Sequence, residues 1–260
     1  MPKYYNPCTL GGWFRLACTR MSGHSKWSTI KRQKGIADSR RSQVFTKLGH
    51  AITVAARLGG ADPVMNFRLR LAIEKAKAAS VPKDNIDRAI AKGAGTGGQH
   101  IEEITYEGFG PGGAALIIQA MTDNRNRTVS EIRTLITKLG GHLGSEHSVA
   151  WQFTTKGVVR LAADQLMGKD RDVLTLGALD AGADDVQDEP EGLTILGAPD
   201  ALPKLQAYLA DQQLTPASAD VELVATTPVQ LSENENAKLQ KLIEALEAHD
   251  DVSAVWTNAK

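Results

Sequence analysis

Hydrophobic positions change period along the chain, and each change marks a new unit. Val44, Phe45, Leu48, Ile52, Ala55 and Ala56 recur at helical spacing on one face. They predict a helix capped by Asp38 or Ser39, running to about Leu58 and stopped by Gly59-Gly60. Asp62-Pro63 reads as the N-cap and first-turn proline of a second helix to about Ala79. Its inner face uses Val64, Phe67 or Leu71, and Ile73, leaving Arg68, Arg70, Lys75 and Lys77 in water. Val81-Pro82 opens a third helix over 83–92, with Ile86, Ala89 and Ile90 turned inward. Three short helices predict a small bundle. The run Gly93-Ala94-Gly95-Thr96-Gly97-Gly98 follows a helix and ends in no Gly-Lys-Ser/Thr, so it reads as a flexible hinge, not a nucleotide loop.

From Gln99 the period shortens. Strands are expected over 101–109 and 114–121, joined as a hairpin through Gly110-Pro111-Gly112-Gly113. A helix with core positions Val129, Ile132, Leu135, Ile136 and Leu139 follows, ended by Gly140-Gly141, and then a strand over 148–153. Beyond it the order is strand 157–161, helix 171–181, strands 185–187 and 193–196, helix 202–210, strand 220–225, which is β-α-β-β-α-β. A last helix over 233–248 and a strand over 252–257 supply what the 101–153 unit lacks. The chain is therefore expected to be α+β with three domains. Residues 22–98 form a small helical bundle with a basic tail, 99–153 plus 228–260 a middle α/β domain, and 154–227 an acidic inserted one. Both α/β modules are expected to follow a ferredoxin-like split β-α-β order, and residues 1–21 to be a flexible extension ahead of a more natural start at Met21.

Charge sharpens this division. The total over 260 residues is zero, yet residues 22–98 hold 15 Lys/Arg against five Asp/Glu, and residues 154–260 hold eight against 19. A field of about +10 draws a polyanion through phosphate contacts and counterion release; a solvated basic helical face is the bland alternative. The remote acidic lobe cannot lie flat on that polyanion.

Other chemistry is sparse. Cys8 and Cys18 fit no zinc spacing or disulfide framework, and the six histidines fall into no metal-ligand pattern, so neither metal nor cofactor is expected. Asp184-Asp185 and Asp188-Glu189 read as a solvated acidic loop. No nucleophile elbow or Cys–His pairing suggests an enzyme. With no apolar run near 20 residues and no secretory segment, the expected setting is the cytoplasm, away from membranes, as a monomer or weak dimer.

Three places suit binding. His24, Lys26, Trp27, Lys31, Arg32 and Lys34 form a basic tail in which Trp27 either stacks on a base or anchors the tail to the bundle. With Arg40, Arg41, Lys47, Arg57, Arg68, Arg70 and Lys83 they make the candidate nucleic-acid-binding set. Asn124, Arg125, Asn126 and Arg127 precede a helix, where free amides and two guanidinium forks suit a phosphate or partner; an ordinary turn capped by Thr128 is the alternative. The stretch Tyr106-Glu107-Gly108-Phe109-Gly110-Pro111-Gly112-Gly113 either lets a backbone come very close to a partner or is a plain hairpin.

Several motifs, in order, resemble the YebC/PmpR family: Gly23-His24-Ser25-Lys26-Trp27, Phe45-Thr46-Lys47-Leu48, Ala55-Ala56-Arg57-Leu58-Gly59-Gly60, Pro82-Lys83-Asp84-Asn85-Ile86, Tyr106 through Gly113, and Thr122 through Thr128. The likeness spans about 22–260 and thins in the acidic module. It implies three domains, no catalytic activity, and one of two roles. One is a DNA-binding transcriptional regulator of the cytoplasm. The other is a ribosome-associated, rRNA-binding translation factor that assists peptide bonds at proline-rich sequences, with a mitochondrial relative that activates translation of a cytochrome oxidase subunit. Two departures from the family stand out: Gly49-His50 where an Arg-Glu pair is usual, and Asn66-Phe67-Arg68 where Asn-Pro-Arg is usual. A basic tail with a lone aromatic suits irregular RNA, whereas the family's traditional label is DNA.

Overall fold

The computed structural model describes residues 38–96 and 101–260, which form seven α-helices and two antiparallel four-stranded sheets. Helix α1 (Asp38–Gly59) carries the expected apolar face. Ile52, Ala55 and Ala56 pack into one core with Leu69, Ala72, Ile73 and Ala76 of α2 (Phe67–Ala78) and Ile86 and Ala89 of α3 (Lys83–Ala91). Val54 points elsewhere, into a cluster with Ile101 and Met121 at the margin of the first sheet. Residues 52–56 are therefore buried all round, which a one-sided helical pattern does not foresee.

Helix α2 begins later than the sequence suggests. Asp62 turns back on itself, its Oδ1 accepting the Val64 amide at 2.8 Å, and leaves Val64 exposed instead of in the core. The working N-cap is Asn66, whose side chain accepts from the Leu69 amide and donates to the Ala55 and Gly60 carbonyls at 2.8 Å each. One buried amide thus caps α2 and ties it to the end of α1. Phe67 takes the first helical position, where proline is favoured, and so replaces the family's proline without breaking the geometry.

The glycine run is not wholly a hinge. Lys92–Thr96 continues α3 as a π turn packed on α1, because Gly93 has no side chain: a Cβ there would lie 2.4 Å from the Thr53 carbonyl. Residues 97–98 of the run lie outside the described residues.

In the first sheet, β1 (Glu102–Phe109) and β2 (Ala115–Thr122) form the hairpin, and the order is β3-β1-β2-β8, with β8 at Val252–Thr257. Helix α4 (Arg125–Lys138) and α7 (Glu233–Glu247) cover one face, burying Leu116, Ile118, Ile132, Ile136, Leu242 and Leu246 together. The third strand differs from expectation. It is the short β3 (His142–Leu143), whereas Ala150–Gln152 is a 3-10 turn and Phe153 already begins the second sheet. The cause is Glu107, whose carboxylate gathers the amides of His147, Val149 and Ala150 and so folds that segment into a loop. Strand β1 lies between β2 and β3, the two that α4 joins, which is a split β-α-β arrangement, and the full element order of this sheet is β-β-α-β-α-β.

The second sheet has order β5-β6-β4-β7, from β4 (Phe153–Ala162), α5 (Arg171–Asp180), β5 (Ala183–Glu189), β6 (Gly192–Gly197), α6 (Leu202–Asp211) and β7 (Ser218–Ala225). Val159, Leu161, Leu174, Ala178, Ile195, Leu205 and Leu209 fill its core. This acidic sheet is not remote from the basic helices. Phe67 and Leu71 of α2 pack against its core, and Lys75 pairs with Asp220 at 2.6 Å.

Candidate nucleic-acid interface

His24, Lys26, Trp27, Lys31, Arg32 and Lys34 lie outside the described residues, so the two readings of Trp27 stay open. Arg40 and Arg41 fall in the first turn of α1. The remaining candidates divide. Lys47 is half-buried and donates to the Glu247 carbonyl at 2.5 Å, and burial holds its pKa below the usual lysine value despite nearby Glu247, Asp250 and Asp251. Arg57 donates to the Ile101 carbonyl at 2.6 Å. Arg68 grips both oxygens of Glu103 at 2.6 and 2.7 Å. These three cations join the helical bundle to the first sheet or to the helix that covers it. Arg68 has its charge matched by a carboxylate, whereas Arg57 is exposed, bonds a neutral carbonyl and keeps its charge. Arg70, stacked 5.3 Å over the Phe67 ring, and Lys83 remain exposed. Among the described residues, Lys47 and Arg68 are engaged within the molecule, while Arg57, Arg70 and Lys83 stay exposed.

His50, in place of the family's acidic residue, is half-buried beside this seam. Desolvation first, then Lys92, holds its pKa below the usual value, and its Nδ1 finds no partner among the described residues.

The segment before α4 is also split. Asn124 is its N-cap, accepting the Arg127 amide at 3.1 Å. Arg127 is spent on Asp123 and Asp251, at 3.1 and 3.2 Å. Thr128 does not cap; it is buried, donating to Asp251 Oδ2 at 2.6 Å. Burial pushes the Asp251 pKa up, but the Thr128 hydroxyl and Arg127 outweigh it and hold the carboxylate ionised below its usual range. Of the two expected guanidinium forks only Arg125 is available. With Asn126 it lines a groove of about 270 Å³ completed by Ile104, Tyr106, Val129, Arg133, Leu143 and Glu146. Arg133 was not singled out from sequence, although its i+8 spacing from Arg125 places it on the same helical face.

The glycine-rich turn closes on the chain itself. Gly110 and Pro111 are buried against α7, and Gly112, at φ 71°, would carry a Cβ 2.6 Å from Leu231. The groups that come close to the backbone of this turn are side chains of the same molecule, Leu231, Glu235 and Leu239.

Glu131, His249 and Asp251 bring three potential metal-binding atoms together. His249 Nδ1 accepts the Asp251 amide at 3.1 Å, so Nε2 carries the proton and donates to Glu131 at 2.9 Å. A nitrogen that bears hydrogen offers no lone pair to a cation, so this cluster is a hydrogen-bond relay.

Basic helices leading into two α/β sheets define a class of protein that sequence comparison identifies further. The model of the TACO1/YebC N-terminal domain matches residues 25–96, and that of the TACO1/YebC second and third domains matches residues 101–259. The chain belongs to the TACO1/YebC family. A probable transcriptional regulatory protein of Desulforamulus reducens is 49% identical over 239 residues, covering 92% of this chain and 98% of that protein. One from Moorella thermoacetica is 49% identical over 242 residues, covering 92% and 95%. A crystal structure of a conserved hypothetical protein from Aquifex aeolicus superimposes with a TM-score of 0.77 at 40% identity, covering 86% of this chain and 91% of that one. No described helix is long and apolar enough to cross a membrane.

Proposed function

We propose that this chain is a non-enzymatic, nucleic-acid-binding regulator of gene expression that engages its polyanion through residues 22–98. The observation that carries the reading is the charge of about +10 held by that segment in a chain of zero net charge. Lys47, Arg57 and Arg68 hold the helical bundle against its neighbours, and contact with phosphates falls to the tail and the first turn of α1 together with the exposed Arg70 and Lys83. Relatives named as transcriptional regulators favour duplex DNA as the target. The acidic sheet, docked on α2, repels phosphates and limits how the nucleic acid lies.

Co-sedimentation with ribosomes, competed by duplex DNA at physiological salt, tests this directly. Free displacement by DNA, followed by a footprint on a promoter, supports transcriptional regulation. Saturable ribosome binding that excess DNA leaves intact would replace it with the rRNA-binding translation factor.

A further inference from the structure

The first sheet has an incomplete edge. Strand β3 pairs only with Gly108 and Phe109, and the remainder of β1 has no strand beyond it among the described residues. Two bonds fix which main-chain groups face outward. The Gly110 amide donates to Ala114, so the even-numbered residues of β1 bond β2; the Gly144 amide donates to Glu107, so the odd-numbered ones face the edge. Thr105 therefore presents an unpaired N–H and C=O along one wall of the groove described above, and Glu103 continues the same open edge beyond the groove. Helix α4 forms the other wall with Arg125, Val129 and Arg133. A strand edge facing a helix across a groove is the geometry in which an extended peptide adds as a further strand.

We propose that this groove binds an extended acidic protein segment by strand addition to β1. The side chains on α4 define its pattern. Arg125 and Arg133 are eight residues apart, about 12 Å along a helix axis. An extended chain covers that span in about four residues, with same-face side chains at every second one. The matching segment is acid–x–apolar–x–acid, its acids meeting Arg125 and Arg133 and its apolar residue resting on Val129. The Tyr106 hydroxyl, buried with no partner among the described residues, adds a donor inside the groove. Nucleic acid fits less well, because a phosphate chain offers nothing to the alternating main-chain groups of the edge.

The probe is a fluorescein-labelled peptide, Gly-Ser-Thr-Asp-Thr-Val-Thr-Asp-Thr-Ser-Gly, titrated into the full chain and followed by anisotropy. Saturable binding is expected, weakened about tenfold in Arg125→Ala/Arg133→Ala. Both arginines are exposed on α4, so that variant keeps its fold. Thr105→Pro removes an outward N–H while leaving the β2 ladder, and should abolish binding. In amide exchange, Glu103 and Thr105 gain protection when peptide is added, whereas Ile104 and Tyr106, already bonded to β2, do not change. Peptide binding that ignores both variants, or no binding, overturns the proposal. So does an oligouridylate that binds in the peptide's place and is lost with the two arginines, or self-association that Thr105→Pro abolishes.

Discussion

Replacing Glu107 with glutamine should release the loop that carries the chain from the first sheet to the second. Its Oε1 accepts from His147 at 2.7 Å, and its Oε2 from Val149 and Ala150 at 2.7 and 2.8 Å. His147 sits at φ 64°, a left-handed conformation held by that bond. Glutamine keeps one oxygen for two of the amides but turns an N–H toward the third. One buried donor left unsatisfied costs about 1–3 kcal/mol, and loss of charge from the other two bonds about 1 kcal/mol each. A total of about 3–5 kcal/mol predicts that protection of the Val149 and Ala150 amides falls at least about a hundredfold at neutral pH. Burial raises the Glu107 pKa, but the Val149, His147 and Ala150 amides outweigh it, so the folded value is depressed. Such a group contributes stability above its unfolded pKa, about 4.3, and loses it as pH falls through the lower folded value. The wild-type advantage over Glu107→Gln should therefore shrink below about pH 4. A change in protection under threefold, or an advantage unchanged in acid, would refute the reasoning.

Two glycines in the helical bundle should respond oppositely to alanine. Gly49→Ala meets open space mid-helix and should stabilise by up to about 1 kcal/mol, whereas Gly93→Ala meets the Thr53 carbonyl and should cost about 1–3 kcal/mol; thermal melts read both. Arg160 and Glu222 form a buried bidentate pair at 2.7 and 2.9 Å across β4 and β7. Arg160→Met alone should destabilise by about 3–5 kcal/mol, while adding Glu222→Leu restores most of the loss in urea titrations. Asp251, whose carboxylate is likewise held ionised, should make Asp251→Asn costly at neutral pH and nearly silent in acid, measured by unfolding midpoints.

Periodicity served where one face meets one core. The apolar positions of α1 and α4 and the hairpin of β1 and β2 follow it closely. It failed where a polar side chain chooses between local partners. Asp62 reads as the cap in sequence; the buried reach of Asn66 to Ala55 and Gly60 makes Asn66 the working one. Residues 148–153 carry a strand-like pattern, but three amides converge on Glu107, a contact some 40 residues distant in sequence. Charge counting located the basic unit, yet could not tell Arg68, neutralised by Glu103, from Arg70, which stays exposed. Such pairings depend on how the helices dock on the sheets, and no local signal encodes docking.

The central claim is that residues 22–98 hold nucleic acid through the tail and the first turn of α1. Binding of labelled duplex DNA, measured from low to moderate salt for the full chain and for Lys31→Ala/Arg32→Ala/Arg40→Ala/Arg41→Ala, tests it most directly. The account predicts a variant that keeps its helical signal and binds more weakly throughout. Its log–log salt slope should be shallower by about three to four, one lost phosphate contact per cation. Equal affinity and equal slope in the two proteins would contradict it.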